Sequence, residues 1–187
     1  MRVLIGCEES GVVRRAFRGR DHSAWSCDLL PARDSSHWHW TENIMDELDP
    51  CTEPYDLIIL HPPCQYICVS GNRWYAGTPE RQWATGWTVG LWIKATSVCD
   101  RVCMENPVGL KIPGVEPQWI QPWQYGHPET KKTGLWLHGL PELVPTDIVV
   151  PNRNRVHRMP PSPNRSRDRG TTYLGVADAF SAQWGNL

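Results

Sequence analysis

The stretch Tyr55-Asp56-Leu57-Ile58-Ile59-Leu60-His61-Pro62-Pro63-Cys64 decides the fold. Its apolar run is continuous rather than alternating, as in a strand buried on both faces. Such strands belong to parallel sheets covered by crossover helices. The two prolines end the run, since neither can donate to a sheet ladder. Upstream, Arg2–Gly6 (RVLIG) reads as a first strand. Ser10–Arg18 carries Val12, Val13, Ala16 and Phe17 at helical spacing, with Ser10 as the expected N-cap. Ala24–Cys27 reads as a second strand ending at Asp28. Downstream, Pro79 and Glu80 suit the first turn of a helix running to about Val98, with Trp83, Trp87, Leu91 and Ala95 as its expected buried stripe. Arg101–Glu105 reads as a strand followed by Asn106-Pro107, and Thr133–Leu137 as another. Val176, Ala177, Ala179, Phe180 and Trp184 fit a closing amphipathic helix. The alternation predicts a doubly wound, mostly parallel α/β sheet formed by residues 1–187 as one domain.

A chain of 187 residues can build one hydrophobic core and little more. No apolar run is long enough to cross a bilayer, and the first strand begins too early to leave room for a secretion signal. The expected compartment is therefore the cytoplasm, with a phage-infected bacterial host as one setting. Seven cysteines, an odd number, point to reduced thiols. Cys64/Cys68 and Cys99/Cys103 share a C-x3-C spacing but have no histidine at a matching interval, so buried thiols are expected and no metal. A net charge of −1 excludes a generally basic DNA-coating protein. The charge is uneven, however. Between Pro151 and Gly170, Arg153, Arg155, Arg158, Arg165, Arg167 and Arg169 face one acid, Asp168, on a Pro-rich segment expected to be irregular. Phosphate contact and a solvated loop both fit that pattern.

In a doubly wound sheet, ligands bind outside the carboxyl ends of the strands. Gly6-Cys7-Glu8-Glu9-Ser10-Gly11 follows the first strand there. Asp28 ends the second, where an acid can bond ribose hydroxyls, and Asp46 is placed to reach an adenine ring. Together they indicate a Rossmann-like nucleoside-cofactor site without naming the cofactor.

The next two strand ends carry Pro62-Pro63-Cys64-Gln65 and Glu105-Asn106-Pro107. In this order they resemble the Pro-Cys and Glu-Asn motifs of DNA cytosine C5 methyltransferases. Tyr125-Gly126-His127-Pro128-Glu129-Thr130-Lys131 looks like that family's Tyr-Gly-x-Pro-Gln-x-Arg segment, and Tyr173-Leu174-Gly175-Val176-Ala177 like its closing motif. The likeness is nearest to short, phage-type members. It implies a class I S-adenosylmethionine-dependent methyltransferase fold. It implies a cofactor held by Gly6, Cys7, Glu8, Ser10, Gly11, Asp28, Asp46, Pro62 and Gly175. Cys64 would be the nucleophile at C6 of cytosine, Glu105 the acid at N3 and Lys131 the cation near O2. Pro63, Gln65, Asn106, Arg153, Arg155, Arg158 and Arg165 would contact the substrate, which is DNA, duplex or single-stranded, or a cytosine nucleotide.

Three departures accompany the likeness. The first turn carries two extra acids, Glu8 and Glu9. Lys131 stands where the family has arginine, and a lysine cannot form arginine's bidentate fork. Only about 35 residues separate Leu137 from Tyr173, too few for an independent target-recognition domain. A catalytically weak nucleic-acid-binding or decoy protein with this fold is the alternative, as is C5 transfer to a free nucleotide. The sequence leaves the oligomeric state open.

Overall fold

The computed structural model describes residues 1–50, 53–152 and 154–187, so Arg153, one of the expected substrate contacts, lies outside the described residues. In chain order the elements are β1 (Arg2–Gly6), α1 (Val12–Arg18), β2 (Ser23–Asp28), β3 (His39–Thr41), α2 (Ile44–Glu47), β4 (Leu57–Leu60), α3 (Asn72–Tyr75), α4 (Pro79–Val98), β5 (Val102–Pro107), β6 (Gln118–Ile120), β7 (Thr133–His138), α5 (Arg155–Arg158), α6 (Arg165–Gly170) and α7 (Leu174–Trp184). The strands form one sheet in the order β3-β2-β1-β4-β5-β7-β6. The first five run parallel, and β7 runs antiparallel to both β5 and β6. This mostly parallel sheet with an inverted penultimate strand is the Rossmann-like fold of class I methyltransferases.

Both faces of the sheet are covered, as the continuous apolar strands require. Val3 and Ile5 of β1 pack with Val13 and Phe17 of α1 and with Phe180 and Trp184 of α7, whose rings stack 4.7 Å apart. Leu4 points to the other face, where it joins Ile58 and Leu60 of β4 and Leu91, Trp92 and Ala95 of α4. The buried stripe of α4 is Ala84, Thr88, Leu91, Trp92 and Ala95. The expected stripe is thus displaced by one position at its start. Trp83 is 69% exposed and stacks on Trp87 at the surface. Leu91 and Ala95 alone satisfied both alternatives, and the small Ala84 lets the helix lie close to the sheet where an indole would not.

Two further expectations are corrected. Gly11, in the left-handed conformation (φ 67°), occupies the N-cap position of α1, and Ser10 instead accepts from the Val12 amide at 3.3 Å. The Arg-rich segment is not wholly irregular, since it holds α5 and α6.

Arg14 is a buried cation, with its side chain almost fully enclosed. It donates to Ser26 Oγ on β2 at 2.8 Å and to Asp34 at 2.5 and 2.7 Å, tying α1 to the loop after β2. Burial works against the Asp34 carboxylate, but hydrogen bonds from Arg14 and Arg15 outweigh it and hold its pKa at about 2. A carboxylate depressed in the folded state contributes stability above its unfolded pKa, and loses it as pH falls through the folded value. Wild-type stability to urea should therefore drop as pH is lowered from about 4 to about 2. Asp34→Asn should be less stable at pH 7 and should lack this part of the acid dependence.

Candidate active site

The β1 turn is built by an inward carboxylate. Cys7, at φ 59°, reverses the chain after Gly6, and its amide donates to Cys27 O at 2.7 Å. That turn sends Glu8 into the interior, where its carboxylate accepts from the Val13 amide at 2.7 Å, the Arg14 amide at 3.4 Å and Ser10 Oγ at 3.1 Å. Glu8 thus occupies the amide groups at the start of α1, where a helix attracts negative charge. Burial raises its pKa, against the opposing charge of His61 and these hydrogen bonds. Glu9 points the other way, into a fork of Arg33 and Arg167. Asp28 stands half-buried at the end of β2, beside the Gly6↔Cys27 register pair, and accepts from the Leu30 amide at 2.9 Å. Burial raises its pKa and Glu9 adds to the effect, while the Leu30 amide opposes it. Leu29 and Leu30 lie exposed next to it. Asp46 is exposed on α2, just past β3.

The β4 and β5 ends meet beside this turn. The His61 amide donates to Gly6 O at 2.9 Å, which extends the β1–β4 pairing by one residue. Pro62 is buried and its carbonyl accepts from Asn106 Nδ2 at 3.0 Å. Pro63 and Gln65 are exposed. Cys64 then opens a single helical turn in which its carbonyl accepts from the Ile67 and Cys68 amides, so the thiols of residues 64 and 68 share one side. The hydrogen bond that the Cys64 thiol donates to Cys68, followed by burial, keeps Cys64 protonated, with the charge of Lys131 opposing both. The same bond pulls Cys68 down, helped by Ser70 Oγ at 3.1 Å and the Gly71 amide, while burial resists.

Glu105 is buried on β5 and its Oε2 lies 3.1 Å from His61 Nδ1. Burial alone would raise its pKa, but the charge of Lys131 and the His61 bond together hold it below the ordinary carboxylate value. Lys131 is placed by its own amide, which donates to Gln121 Oε1 at 2.9 Å. Cys64, Glu105 and Lys131 are therefore brought together electrostatically. Cys68 and His61 belong to the same cluster and were missed in the sequence. His61 read only as the end of a strand and Cys68 only as half of a C-x3-C spacing.

The Arg-rich segment is anchored over these loops. The Arg155 amide donates to the buried Glu129 carboxylate at 3.1 Å, and Arg165 Nε donates to Met159 O at 2.8 Å. Arg167 closes on Glu9, and the charge of Arg169 reaches Cys68. Arg158 is exposed on α5. Gly175 lies at the start of α7, and its amide donates to His127 Nε2 at 2.9 Å.

No protein-family model and no curated protein sequence matches the chain. Among solved structures, the chain is similar to the Schizosaccharomyces pombe Dnmt2 methyltransferase, with a TM-score of 0.47 and 15% identity over 76% of this chain and 51% of that one. It is also similar to the Entamoeba histolytica methyltransferase EhMeth, with a TM-score of 0.43 and 8% identity over 86% of this chain and 60% of that one. The chain thus spans about half to three-fifths of the length of these proteins.

Gly175 tests how α7 is seated against the site. A Cβ built there would lie 1.9 Å from the Tyr125 carbonyl oxygen, a backbone atom that cannot swing away. Gly175→Ala should therefore lower the unfolding midpoint and alter the one-bond amide signals of Tyr125–Lys131. An unchanged melting curve would show that the two segments are not in this contact.

Proposed function

We propose that the chain transfers a methyl group from S-adenosylmethionine to C5 of a cytosine, through a covalent adduct at Cys64. One observation carries this reading. A cysteine and a carboxylic acid stand at the ends of neighbouring parallel strands, locked in register by the Asn106–Pro62 hydrogen bond.

The strand ends fit the cofactor. Asp28 offers hydroxyl-accepting oxygens beside the exposed apolar surface of Leu29 and Leu30, suited to a ribose and its base. The burial and neighbouring Glu9 that raise the Asp28 pKa favour a ligand bringing hydrogen-bond donors or positive charge. Glu8 already fills the α1 amide groups, so the amino-acid end of the ligand would meet acids rather than a free helix terminus. When bound, the cofactor supplies an electrophilic methyl group.

C5 of cytosine is a weak nucleophile until a thiolate adds at C6. Cys64 must lose its proton for that step, and Cys68, whose thiol is shifted towards the anion, is placed to take it. As the Cys64 sulfur bonds to C6, the ring electron pair shifts towards C5 and N3 takes a proton from Glu105. Lys131 balances charge developing at O2. Loss of the C5 proton to solvent water then lets the Cys64 sulfur leave as the thiolate by elimination, and the proton held by Cys68 returns to it.

The pairing of Arg155 with Glu129 and of Arg167 with Glu9 reduces the guanidinium groups left for phosphates. That favours a short single-stranded stretch over a long duplex footprint, with a cytosine nucleotide as the second reading. A duplex would in addition have to flip the base out of the stack.

The test is transfer of labelled methyl from S-adenosylmethionine to single-stranded DNA, duplex DNA and deoxycytidine monophosphate. Transfer to cytosine should vanish in Cys64→Ser and fall about 10²-fold or more in Glu105→Gln. Absence of transfer to all three substrates contradicts the proposal.

A further inference from the structure

His61 has no role in the chemistry above, yet it is buried among the groups that do. Its side chain is 7% exposed and ends β4 next to Gly6. Nδ1 meets Glu105 Oε2 at 3.1 Å, and because Glu105 is shifted towards the carboxylate, the proton of that bond belongs to the imidazole. Nε2 is also buried and makes no hydrogen bond to the described residues. A buried ring nitrogen without a partner is a cost to the fold. The fold therefore keeps this imidazole in place against a penalty that an apolar residue would avoid.

Two carboxylates act on it, Glu105 on β5 and Glu8 in the β1 turn. Glu105 in turn feels Lys131, which precedes β7, and its own charge reaches Cys64 in the loop after β4 and Cys103 on β5. A Glu105 held as an anion by Lys131 has no proton to give to N3. The imidazole is the proton-bearing group bonded to it.

We propose that the acid of this site is a His61–Glu105 dyad, in which His61 supplies the proton that Glu105 delivers to the ring. The inference rests on Glu105 acting at N3 of a cytosine. In its imidazolium form His61 passes the Nδ1 proton to Glu105 Oε2, and the carboxyl group so formed protonates N3. The imidazole is left neutral with its proton on Nε2. On elimination the N3 proton returns through Glu105 to Nδ1, so protons balance and no further reactant is needed. His61 is thus a positioning and proton-supplying residue that acts through Glu105.

Two measurements test the dyad. In the free chain, nitrogen-detected NMR titration of the His61 ring should show its midpoint falling by at least about one pH unit in Glu105→Gln, because the carboxylate anion no longer holds the proton. His61→Asn keeps an N–H near the Nδ1 position but cannot supply a proton. Methyl transfer by this variant should lose about 10²-fold in kcat with little change in KM, and its pH–rate profile should lose the alkaline limb assigned to His61. If His61→Asn does not fold, as judged by its thermal transition, His61→Gln takes its place. An active wild-type enzyme whose His61 titration is unmoved by Glu105→Gln, or whose His61→Asn variant keeps the wild-type profile, overturns the dyad alone. A wild-type chain inactive on every cytosine substrate overturns the acid role together with the proposed function, so the two failures are distinguishable.

Discussion

The hydrogen bond from Asn106 Nδ2 to the Pro62 carbonyl is the constraint on which the site depends. Pro62 and Pro63 carry no amide hydrogen, so β4 cannot continue its ladder with β5 past His61. A buried carbonyl left at that point must find another donor. Asn106 provides it from the neighbouring strand, and this fixes the position of the Cys64 loop relative to Glu105, one residue before Asn106. The remaining Asn106 oxygen is buried and has no hydrogen bond to the described residues.

A second constraint is electrostatic. The first turn carries acids where a family resemblance leads one to expect room for a ligand carboxylate, and the structure disposes of each separately. Glu8 is consumed as an internal cap for α1, and Glu9 is neutralised by Arg33 and Arg167. The Arg-rich segment therefore serves the fold as well as any substrate. Two of its arginines answer acids in distant parts of the sequence, at Glu9 and Glu129, and this seats the segment across the strand ends.

Most of the sheet was legible because fully buried strands leave continuous apolar runs. Arg2–Gly6 and Leu57–Leu60 need no knowledge of their neighbours to be recognised. The buried face of α4 was not legible in the same way, because Trp83 and Ala84 compete for one position and only the distance to the sheet decides between them. Cys64 and Glu105 were singled out as candidates through motif and strand-end position. His61 and Cys68 were not, because their significance lies in contacts with Glu105 and Cys64 that sequence order does not reveal. Ser10 misled for a local reason. A serine before a helix normally caps it, but here the deeper-buried Glu8 reaches the same amide groups first.

In the proposed reaction Cys64, and no other thiol, forms a bond to the pyrimidine. A cytosine bearing fluorine at C5 has no proton to lose there after methyl transfer, so elimination stalls and the adduct persists. The direct measurement is peptide mapping by mass spectrometry after incubation with S-adenosylmethionine and a 5-fluorocytosine oligonucleotide. One methylated adduct is expected, on the peptide containing Cys64 and at that sulfur. An adduct at Cys68, or none while methyl transfer to unmodified cytosine proceeds, would contradict it.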